Sequence, residues 1–482
     1  RGSEATYVDA QGLIKSTNEL GPELITNGDF SNGSTPWALN SNWSIGGVGA
    51  IADGTSNGTI WQAGVLEDNK TYKVTYTITD LLQGTLRANA SGSLGAIRTS
   101  DGTYTETITA GTSPTTRITF QGTGGFKVTL SNVSVKEVIT ATNTPRLDYS
   151  TGAEAFLLEP QSTNLLPYSE DFSNSAWIKQ TNITVLDNQI ISPDGTLNSD
   201  KITTSSSSNF MYDVLSLTPL TEYTVSFYLK NDNAVRTSFW GAGQNNVDIT
   251  WSGKNIQSIS GASSYEYFGN DWYKVSVTQQ STSNGSYVIR FYPNTASTTV
   301  NSIYLWGFQV EQQTYATSYI PTSGSSVTRN QETCINATPE INSEEGVLYF
   351  EGSALVDATT QRWISLGSGG NANRVSILFN APSRISCSVR ASSSAVYDAN
   401  FNIGSQTNHT KAAIRYKNND FAFFVNGVKV NSQLSGTLSF NSPLSELAFD
   451  SADGGSKFFG NTKDVQVYTK ALSDAELIKL TT

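Results

Sequence analysis

Short runs in which apolar and polar residues alternate recur in every part of the chain. Two clear examples are Thr71–Thr79 (TYKVTYTIT) and Phe126–Val138 (FKVTLSNVSVKEV). Alternation with a period of two places every second side chain on one face of an extended segment, as in a strand with one buried face. Turns rich in Gly and Ser separate these runs at short intervals, which is typical of β-sandwiches and jelly rolls. The chain is therefore predicted to be all-β.

Two stretches of the chain repeat one another. Leu24–Asn32 (LITNGDFSN) and Leu165–Asn174 (LLPYSEDFSN) both open with leucine and continue into an Asp-Phe-Ser-Asn turn. Each stretch reaches a tryptophan a few residues later, Trp37 in the first and Trp177 in the second. We infer that the chain contains two copies of one kind of module, the second with longer loops.

The length of 482 residues predicts about three domains, at roughly 100–200 residues per domain. A third module begins near Gly346 and contains a further series of strand candidates. The segment Ser473–Ile478 fits a capping box, with Ser473 as N-cap and Glu476 at the third helical position. The predicted architecture is three β-sandwich modules in series, followed by one short C-terminal helix.

Charge and hydropathy exclude several classes of partner. The formal net charge of −11 argues against nucleic acid, because phosphate neutralisation requires clustered Lys and Arg. No apolar run approaches the ~20 residues of a membrane span, so we expect no membrane insertion. The chain begins at Arg1 without a basic and apolar leader, and we expect an N-terminus that is processed or belongs to a longer chain.

The cysteine content does not support a disulfide framework. Cys334 and Cys387 could form one bridge across the third module or remain buried thiols, and the sequence leaves both possibilities open.

Several spaced segments resemble parts of bacteriophage tail-fibre and other virion appendage proteins. The opening RGSEATYVDAQGLI resumes after an interruption as NTPRLDYSTGAEAFLLEPQSTNLLPYSEDFSNSAW. DWYKVSVT (Asp271–Thr278) and GFQVEQQTYATSYIPTSGSSVTRNQE (Gly307–Glu332) resemble later segments of those proteins, in the same order. The interruption itself, with ELITNGDFSNG and LSNVSVKEV, is similar to a carbohydrate-binding-module jelly roll.

The third module, with AAIRYKNNDFAFFVNGVKV and KDVQVYTKALSDAELIKL, is similar to laminin-G-like or concanavalin-like sandwiches. The resulting division has five parts. These are an N-terminal strand segment (1–16) that pairs with 141–164, an inserted carbohydrate-binding-module-like jelly roll (17–140), a linker and strand segment (141–164), a second jelly-roll sandwich (165–333) and a laminin-G/concanavalin-like sandwich (334–482).

The resemblances imply a structural or adhesive phage appendage, such as a fibre or tail-associated protein, on the virion surface. It would recognise host-surface or environmental glycans, contact other virion proteins and form homo-oligomers, with a trimer as the expected state. Catalysis is not expected, because a Ser-His-Asp site would depend on the single histidine, His409, which has no nucleophile motif nearby. Two alternatives stay open: a polysaccharide depolymerase with accessory binding modules, and a secreted bacterial surface adhesin.

Sugar binding requires an aromatic ring under the apolar face of a pyranose, with polar groups that hold its hydroxyls. Candidate rings are those that a core does not obviously require. Tyr265 and Tyr267 share one face of an extended segment, where they could form a platform or cover a sheet edge. The competing interpretation of each tryptophan is a place in a sandwich interior. The predicted carbohydrate-binding residues are Trp61, Trp240, Trp251, Tyr265 and Tyr267.

Structural calcium is the one cofactor that the sequence brings into consideration. Sandwiches of both resembled kinds often carry such an ion, held by hard oxygen ligands. Asp29 and Asp171 are equivalent in the repeat and are the predicted metal ligands. The alternative is an Asx-turn that caps the Asp-Phe-Ser-Asn bend.

Overall fold

The computed structural model describes residues 3–40, 42–139, 144–241, 246–283, 285–335 and 337–482. Strands account for 54% of the chain and helix for 2%, so the all-β prediction is confirmed. The chain divides into two compact units, one formed by residues 17–141 and the other by residues 1–16 together with 142–482. In the part of the chain that the structure describes, no helix is both long and apolar enough to cross a membrane.

The N-terminal segment forms a hairpin of β1 (Thr6–Val8) and β2 (Ile14–Ser16). The segment after residue 143 lies beside this hairpin: the backbone N–H of Tyr149 donates to the Val8 carbonyl at 2.9 Å, and the Val8 N–H donates to Asp148 Oδ2 at 2.8 Å. The ladder partner of β1 is β2, so the two segments meet through these bonds and not through the predicted strand pairing. Residues 140–143 of the predicted boundary lie outside the described residues.

The inserted unit is built around two long strands, β8 and β11, whose mutual ladder shifts register between Thr123 and Lys127. Gly84 sits at the matching bend of β8 with φ +74°, a conformation that glycine adopts without strain. Each long strand therefore contributes to both layers of a jelly roll around one apolar core. The strands of this unit are β3 (Glu19–Glu23), β4 (Ala38–Leu39), β5 (Trp43–Gly46), β6 (Gly49–Asp53), β7 (Gly58–Gln62), β8 (Thr71–Ala90), β9 (Ser93–Leu94), β10 (Gly102–Thr109) and β11 (Ile118–Ile139).

The bridging segment contributes strands to the C-terminal sandwich. β12 (Leu147–Asp148) pairs with β13 (Ala155–Leu158), and β13 pairs with a strand near the C-terminus. Leu158 is 2% exposed and belongs to the core of that sandwich. The segment predicted as linker and strand thus contributes strands to a folded sheet.

The second sandwich consists of two six-stranded sheets with a shared core. The first, which we call the β20 sheet, has the order β15-β18-β25-β20-β21-β22, and the second, the β19 sheet, has the order β16-β17-β26-β19-β24-β23. Two short strands, β14 and β27, pair beside them. The bounds are β14 (Ser162–Asn164), β15 (Ile178–Lys179), β16 (Ile183–Ile191), β17 (Leu197–Thr204), β18 (Met211–Ser216), β19 (Glu222–Asn231), β20 (Arg236–Trp240), β21 (Asn246–Ser252), β22 (Asn255–Ser260), β23 (Ser264–Gly269), β24 (Trp272–Gln280), β25 (Ser286–Tyr292), β26 (Asn301–Glu311) and β27 (Val327–Arg329).

The C-terminal sandwich packs a seven-stranded sheet, β12-β13-β37-β28-β33-β34-β35, against a five-stranded sheet, β32-β31-β30-β29-β36. The predicted C-terminal helix is present as α1 (Asp474–Thr481), with the Ser473–Glu476 capping box formed. Cys334 and Cys387 are both free thiols. The strands are β28 (Glu345–Ala354), β29 (Arg362–Gly367), β30 (Arg374–Ala381), β31 (Arg384–Ala391), β32 (Ser394–Asn402), β33 (Thr410–Lys417), β34 (Phe421–Val425), β35 (Val428–Gln433), β36 (Glu446–Ala448) and β37 (Gly460–Tyr468).

The repeated Asp-Phe-Ser-Asn turns anchor a tryptophan in the same way. The ring centroids of Phe30 and Trp37 are 5.1 Å apart, and those of Phe172 and Trp177 are 5.3 Å apart. Each indole N–H donates to a carbonyl of its own loop at 2.9 Å, in one copy that of Asn27 and in the other that of Tyr168. The sequence repeat therefore corresponds to a repeated structural device.

Four buried charged side chains join the bridging segment to the segment around β27. Arg146 Nη2 lies 2.8 Å from Glu159 Oε2 and also contacts Glu332, and Arg329 Nη1 lies 2.7 Å from Glu159 Oε2. Burial by itself would raise the pKa of Glu159, but Arg329 and Arg146 lower it to about 2. These charges remain buried because each is paired.

The outer face of the β19 sheet is covered by the N-terminal hairpin. Ile14 packs with Tyr228, Trp272, Trp306 and Tyr319, which all point away from the sandwich core. Trp272 and Trp306 are 2% and 1% exposed, so they are buried on this outer face and not in the sandwich core. Phe268 and Tyr304 are half-buried beside this group.

Candidate functional site

The outer face of the β20 sheet carries a group of aromatic side chains because its central strands alternate strictly. Phe239 and Phe291 are paired across β20 and β25 and point into the core. Their neighbours Trp240 and Tyr292 therefore point to the opposite face. Trp240 is half-buried and Tyr292 is 6% exposed.

These rings continue into a platform across adjacent strands, which we call the aromatic platform and define as Trp240, Tyr292, Phe210 and Tyr212. The ring centroids of Trp240 and Tyr292 are 4.6 Å apart, those of Tyr292 and Phe210 are 4.8 Å apart, and those of Phe210 and Tyr212 are 5.6 Å apart. The indole nitrogen of Trp240 is buried, and its N–H finds no acceptor among the residues that the structure describes. The continuous ring surface is suited to a ligand with an apolar face.

Polar groups surround the platform. Arg290 stands directly opposite Trp240 in the β25–β20 ladder, and its Cζ lies 5.7 Å from the centroid of the Phe210 ring. On the next strand, Asp248 accepts a hydrogen bond from Ser238 Oγ at 2.5 Å and pairs with Arg236 Nη2 at 3.0 Å. The face thus combines rings with guanidinium, carboxylate and hydroxyl groups, the set that grips sugar hydroxyls.

Trp251, predicted as a ligand contact, instead belongs to the core. It is 6% exposed, its Nε1 donates to Thr237 Oγ1 at 2.9 Å, and its ring lies 6.0 Å from that of Tyr273. In β21 it shares the inward face with Ile249. A ligand cannot stack on this ring without opening the sandwich, so the expectation for Trp251 is corrected.

Tyr265 and Tyr267 lie on the edge strand β23 of the β19 sheet and share one face, with exposures of 51% and 60%. Tyr267 packs edge-on against Tyr273, with centroids 5.4 Å apart. Because they belong to the other sheet of the sandwich, they are not part of the aromatic platform. They form an exposed pair at a sheet edge, and their predicted role in sugar binding stays a prediction.

Trp61 lies on the outer face of one layer of the inserted unit. It is half-buried, and Arg117 Cζ is 5.4 Å from the ring centroid. On the neighbouring strands, Gln121, with its amide oxygen turned towards β8, accepts from Nε and Nη2 of Arg87 at 2.7 Å each. Asn89 stands opposite Thr119, the ladder partner of Trp61. This face offers one ring with several hydrogen-bonding groups, a smaller version of the arrangement around Trp240.

The two predicted metal ligands have different surroundings, although each forms the expected turn. Asp29 Oδ1 accepts from the N–H and hydroxyl of Ser31, at 3.1 and 3.0 Å, and the N–H bond is the main cause of the lowered pKa of Asp29. Asp171 Oδ1 accepts from Ser173 Oγ at 2.8 Å and from the Asn174 N–H at 2.9 Å. Among the described residues, Asp29 joins no group of three possible ligands, and its hydrogen bonds are those of an Asx-turn.

Asp171 does join such a group, with Asp187 and Asp200. One carboxylate oxygen from each lies within 4.8 Å of the others. Asp200 is 2% exposed and accepts from the backbone N–H groups of Phe172 and Asn188 at 2.9 and 3.0 Å. Its pKa is raised well above the usual value, first by burial and then by Asp187. Three hard oxygen ligands at this separation fit a calcium ion, whose Ca–O distances are about 2.3–2.6 Å.

The sequence did not single out several residues of the platform. Arg290 and Tyr292 lie in SYVIRFY, where alternation with Ile289 and Phe291 is a usable signal for an outward face. The sequence carries no signal that places Phe210 and Tyr212 beside Tyr292, because this contact depends on the pairing of β18 with β25.

The comparisons with known proteins concern parts of the chain. Residues 348–478 match the family model described as Concanavalin A-like lectin/glucanases superfamily, within the C-terminal sandwich. No curated protein sequence matches the chain.

Solved structures with related folds have low similarity. The carbohydrate-binding module CBM40 of the Ruminococcus gnavus IT-sialidase, bound to α2,3 sialyllactose, is 18% identical, with a TM-score of 0.26, over 30% of this chain and 84% of that chain. The tandem CBM22-1–CBM22-2 of Paenibacillus barcinonensis Xyn10C is 12% identical, with a TM-score of 0.25, over 62% of this chain and 99% of that chain. Mouse laminin α1 domains LG4-5 are 9% identical, with a TM-score of 0.22, over 54% of this chain and 88% of that chain. Similarity at this level carries no functional argument.

Proposed function

We propose that the protein binds glycans without transforming them, and that the aromatic platform of the second sandwich is its principal sugar-binding surface. The observation that carries the proposal is the continuous row of rings from Trp240 through Tyr292 and Phe210 to Tyr212, with neighbouring centroids 4.6 to 5.6 Å apart. A core does not need these rings, because they lie on the side of the sheet away from the core residues Phe239 and Phe291. Rings of this kind at a surface are suited to the apolar faces of sugars.

Orientation of the sugar would come from the polar groups beside the rings. The guanidinium of Arg290 would donate to hydroxyl or ring oxygens of the sugar, and Asp248 would accept from its hydroxyls. A single sugar chain held on one face of a sheet by these groups would bind weakly. Linked copies of weak sites increase the overall affinity without new contacts.

The Trp61 face of the inserted unit is the second proposed sugar-binding surface. Support comes from its half-buried ring, with the guanidinium of Arg117 at 5.4 Å, and from the amides of Gln121 and Asn89 on adjacent strands. The description of the family that matches residues 348–478 includes lectins, which is in keeping with sugar recognition. Three sandwiches in one chain would then supply several sites.

We further propose that the protein is an appendage on the surface of a phage particle, in contact with other virion proteins and assembled as a homo-oligomer, with a trimer as the expected state. The support is the resemblance of the separated segments to tail-fibre proteins, together with the bonds that join Val8 to Tyr149 and Asp148 across the insertion. In this setting the copy number of the particle would provide the avidity.

A structural calcium ion is proposed at Asp171, Asp187 and Asp200. These carboxylates would hold the ion, which would neutralise their mutual repulsion and fix the Asp-Phe-Ser-Asn loop against the buried Asp200. The ammonium group of Lys179 donates to the carbonyls of Ser173 and Asn174 at 2.6 Å each, so a positively charged side chain already holds the backbone of this loop.

The direct test is a glycan array followed by titration calorimetry on the oligosaccharides that bind. Trp240→Ala and Tyr292→Ala should each weaken binding by about tenfold or more, which corresponds to ~1.4 kcal/mol. Tyr267→Ala is the matched control, because it removes an exposed ring outside the platform and should leave affinity unchanged. Wild-type affinity in both platform variants would place the site elsewhere.

Two further measurements separate the alternatives. Release of reducing ends or unsaturated products from a panel of capsular and algal polysaccharides would indicate a depolymerase and contradict the non-enzymatic proposal. Copurification with phage particles supports the appendage, whereas association with the bacterial surface in the absence of particles supports an adhesin.

A further inference from the structure

The five-stranded sheet of the C-terminal sandwich has a polar outer face with an unusual charge arrangement. Ile364, Leu366, Val375 and Ile377 point from this sheet into the core. Alternation therefore directs Trp363 and Ser365 of β29, and Arg374 and Ser376 of β30, to the outer face. The same reasoning places Ser388 and Arg390 of β31 and Asp398 of β32 there.

Two arginines face each other on this surface. Arg374 and Arg390 are directly opposite in the ladder between β30 and β31. Like charges in directly opposite positions destabilise a sheet. The Arg374 guanidinium turns to lie over the Trp363 ring, with Cζ 4.3 Å from the centroid, and Arg390 turns the other way, towards Asp398, at 3.5 Å. In the described residues, Arg374 has no carboxylate within 4 Å, so its charge is not neutralised by a direct ion pair.

The next row of the sheet contains two hydroxyls without partners. Ser376 and Ser388 are directly opposite each other, 0% and 4% exposed, and neither Oγ has a hydrogen-bond partner among the described residues. The Nε of Arg374 is likewise buried and unpartnered. A buried polar atom that lacks a partner destabilises the folded state. Three such atoms lie within two adjacent rows of one outer face, and a ligand reaches them only if the side chains above them move.

An anionic group is the ligand that fits these features together. A carboxylate or sulfate placed between the two guanidiniums would remove their repulsion and accept two or more charge-assisted hydrogen bonds. Burial and the neighbouring Arg390 lower the pKa of Arg374, and Asp453 and Asp398 offset this only in part.

We propose that this face, which we call the arginine face and define as Trp363, Arg374, Ser376, Ser388 and Arg390, binds an acidic polysaccharide through its carboxylate or sulfate groups. The proposal rests on the proposed glycan binding, and it adds a second site and the chemical class of its ligand. The chain as a whole carries a net charge of −11 and repels polyanions, so the attraction for an acidic polysaccharide would come from the arginine face alone. Asp398 competes with the ligand for Arg390, and Asp453 lies nearby, bonded to Asn371.

The test uses the full chain and three oligosaccharide probes in titration calorimetry: a sulfated heparin fragment, a carboxylated oligogalacturonate and a neutral dextran fragment. The wild type should bind at least one acidic probe, with affinity that falls as salt rises, and the choice between sulfate and carboxylate identifies the anion. Arg390→Gln should weaken that binding by about tenfold or more, since it removes charge-assisted hydrogen bonds to the anion. Asp398→Asn should strengthen it, because it releases Arg390.

Lys417→Gln is the matched control, since it removes one positive charge from the seven-stranded sheet, where Lys417 Nζ pairs with Glu345 at 2.9 Å. Equal loss in Lys417→Gln and Arg390→Gln, unchanged binding in Arg390→Gln, or no wild-type binding to any acidic probe would each overturn the proposal. Binding that depends on Trp240 is measured separately with Trp240→Ala. Suppose that Arg390→Gln binds unchanged, or that the wild type binds no acidic probe. If glycan binding that depends on Trp240 is still observed, the proposed function stands and only the arginine face is ruled out.

Discussion

Arg146 Nη2 and Glu159 Oε2 lie 2.8 Å apart in the interior of the protein, with side-chain exposures of 0% and 4%. Arg329 contacts the same carboxylate from β27 at 2.7 Å. The Arg146–Glu159 pair thus joins the start of the bridging segment to its end. Arg329 joins Glu159 in turn to the segment that follows the second sandwich. Because β12 and β13 of that bridge belong to the C-terminal sheet, this cluster connects the two sandwiches of the larger unit.

Replacement of the shared carboxylate should be strongly destabilising. Glu159→Gln would leave the Arg146 and Arg329 charges buried with less compensation, and loss of one partner from a buried pair costs about 3–5 kcal/mol. Urea denaturation monitored by fluorescence measures the change in the free energy of unfolding. Asp271→Asn is the control, since it breaks only a partly exposed pair with Lys230 and should cost about 0–1 kcal/mol. Equal effects of the two variants would contradict the structural role of the cluster.

The same carboxyl predicts an acid limit of stability. Its folded pKa of about 2 lies below the ordinary value of 4.5, so its contribution is complete above pH 4.5 and is lost as the pH falls from there towards 2. The free energy of unfolding of the wild type should therefore fall across this window. The slope should be smaller in Glu159→Gln, and an identical slope in the two proteins would show that other groups set the acid limit.

Trp240 and Trp251 should differ sharply in what their removal does. Trp251→Ala leaves a large cavity in the core and should destabilise the protein by about 3–5 kcal/mol. Trp240→Ala removes a half-buried ring from the outer face and should have a much smaller effect on stability while it weakens glycan binding. The two measurements are thermal unfolding and calorimetry. Similar thermal stability of both variants would mean that the faces of β20 and β21 are assigned incorrectly.

Calcium should stabilise the wild type through Asp200. At a concentration 100 times its Kd, an ion that binds only the folded state adds about 2.7 kcal/mol, which appears as a rise in Tm. Asp200→Asn should abolish the rise, whereas Asp29→Asn should retain it, because Asp29 only caps a turn. A Tm that is the same in calcium and in chelator for the wild type would argue against the ion.

The two cysteines should differ in reactivity. Cys387 is buried, and burial raises the pKa of its thiol well above the ordinary value, so the reactive thiolate is scarce. Cys334 is only partly buried. A thiol reagent should label Cys334 in the native protein and Cys387 only after unfolding, and Cys334→Ser should leave no rapidly labelled thiol. A Tm that falls on addition of reductant would instead indicate a disulfide.

Several features of the site were predictable from local patterns. The outward direction of Trp240 follows from its position next to Phe239, and the inward direction of Trp251 follows equally from Ile249 two residues earlier. The capping box at Ser473 is also a local pattern and is present as predicted. Asp29 and Asp171 are equivalent in sequence, yet only Asp171 has two further carboxylates beside it.

The sequence by itself determined the strand periodicity, the repeated turn with its tryptophan and the C-terminal helix, because each depends on residues that are close along the chain. The tertiary structure decided which strands became neighbours, and with them the aromatic platform, the aspartate group and the Arg374–Arg390 pair. Each of these unites residues from different strands or loops, and their register depends on the summed packing of a whole sheet. No local pattern contains that sum, so sites on sheet faces emerge only when the sandwich is assembled.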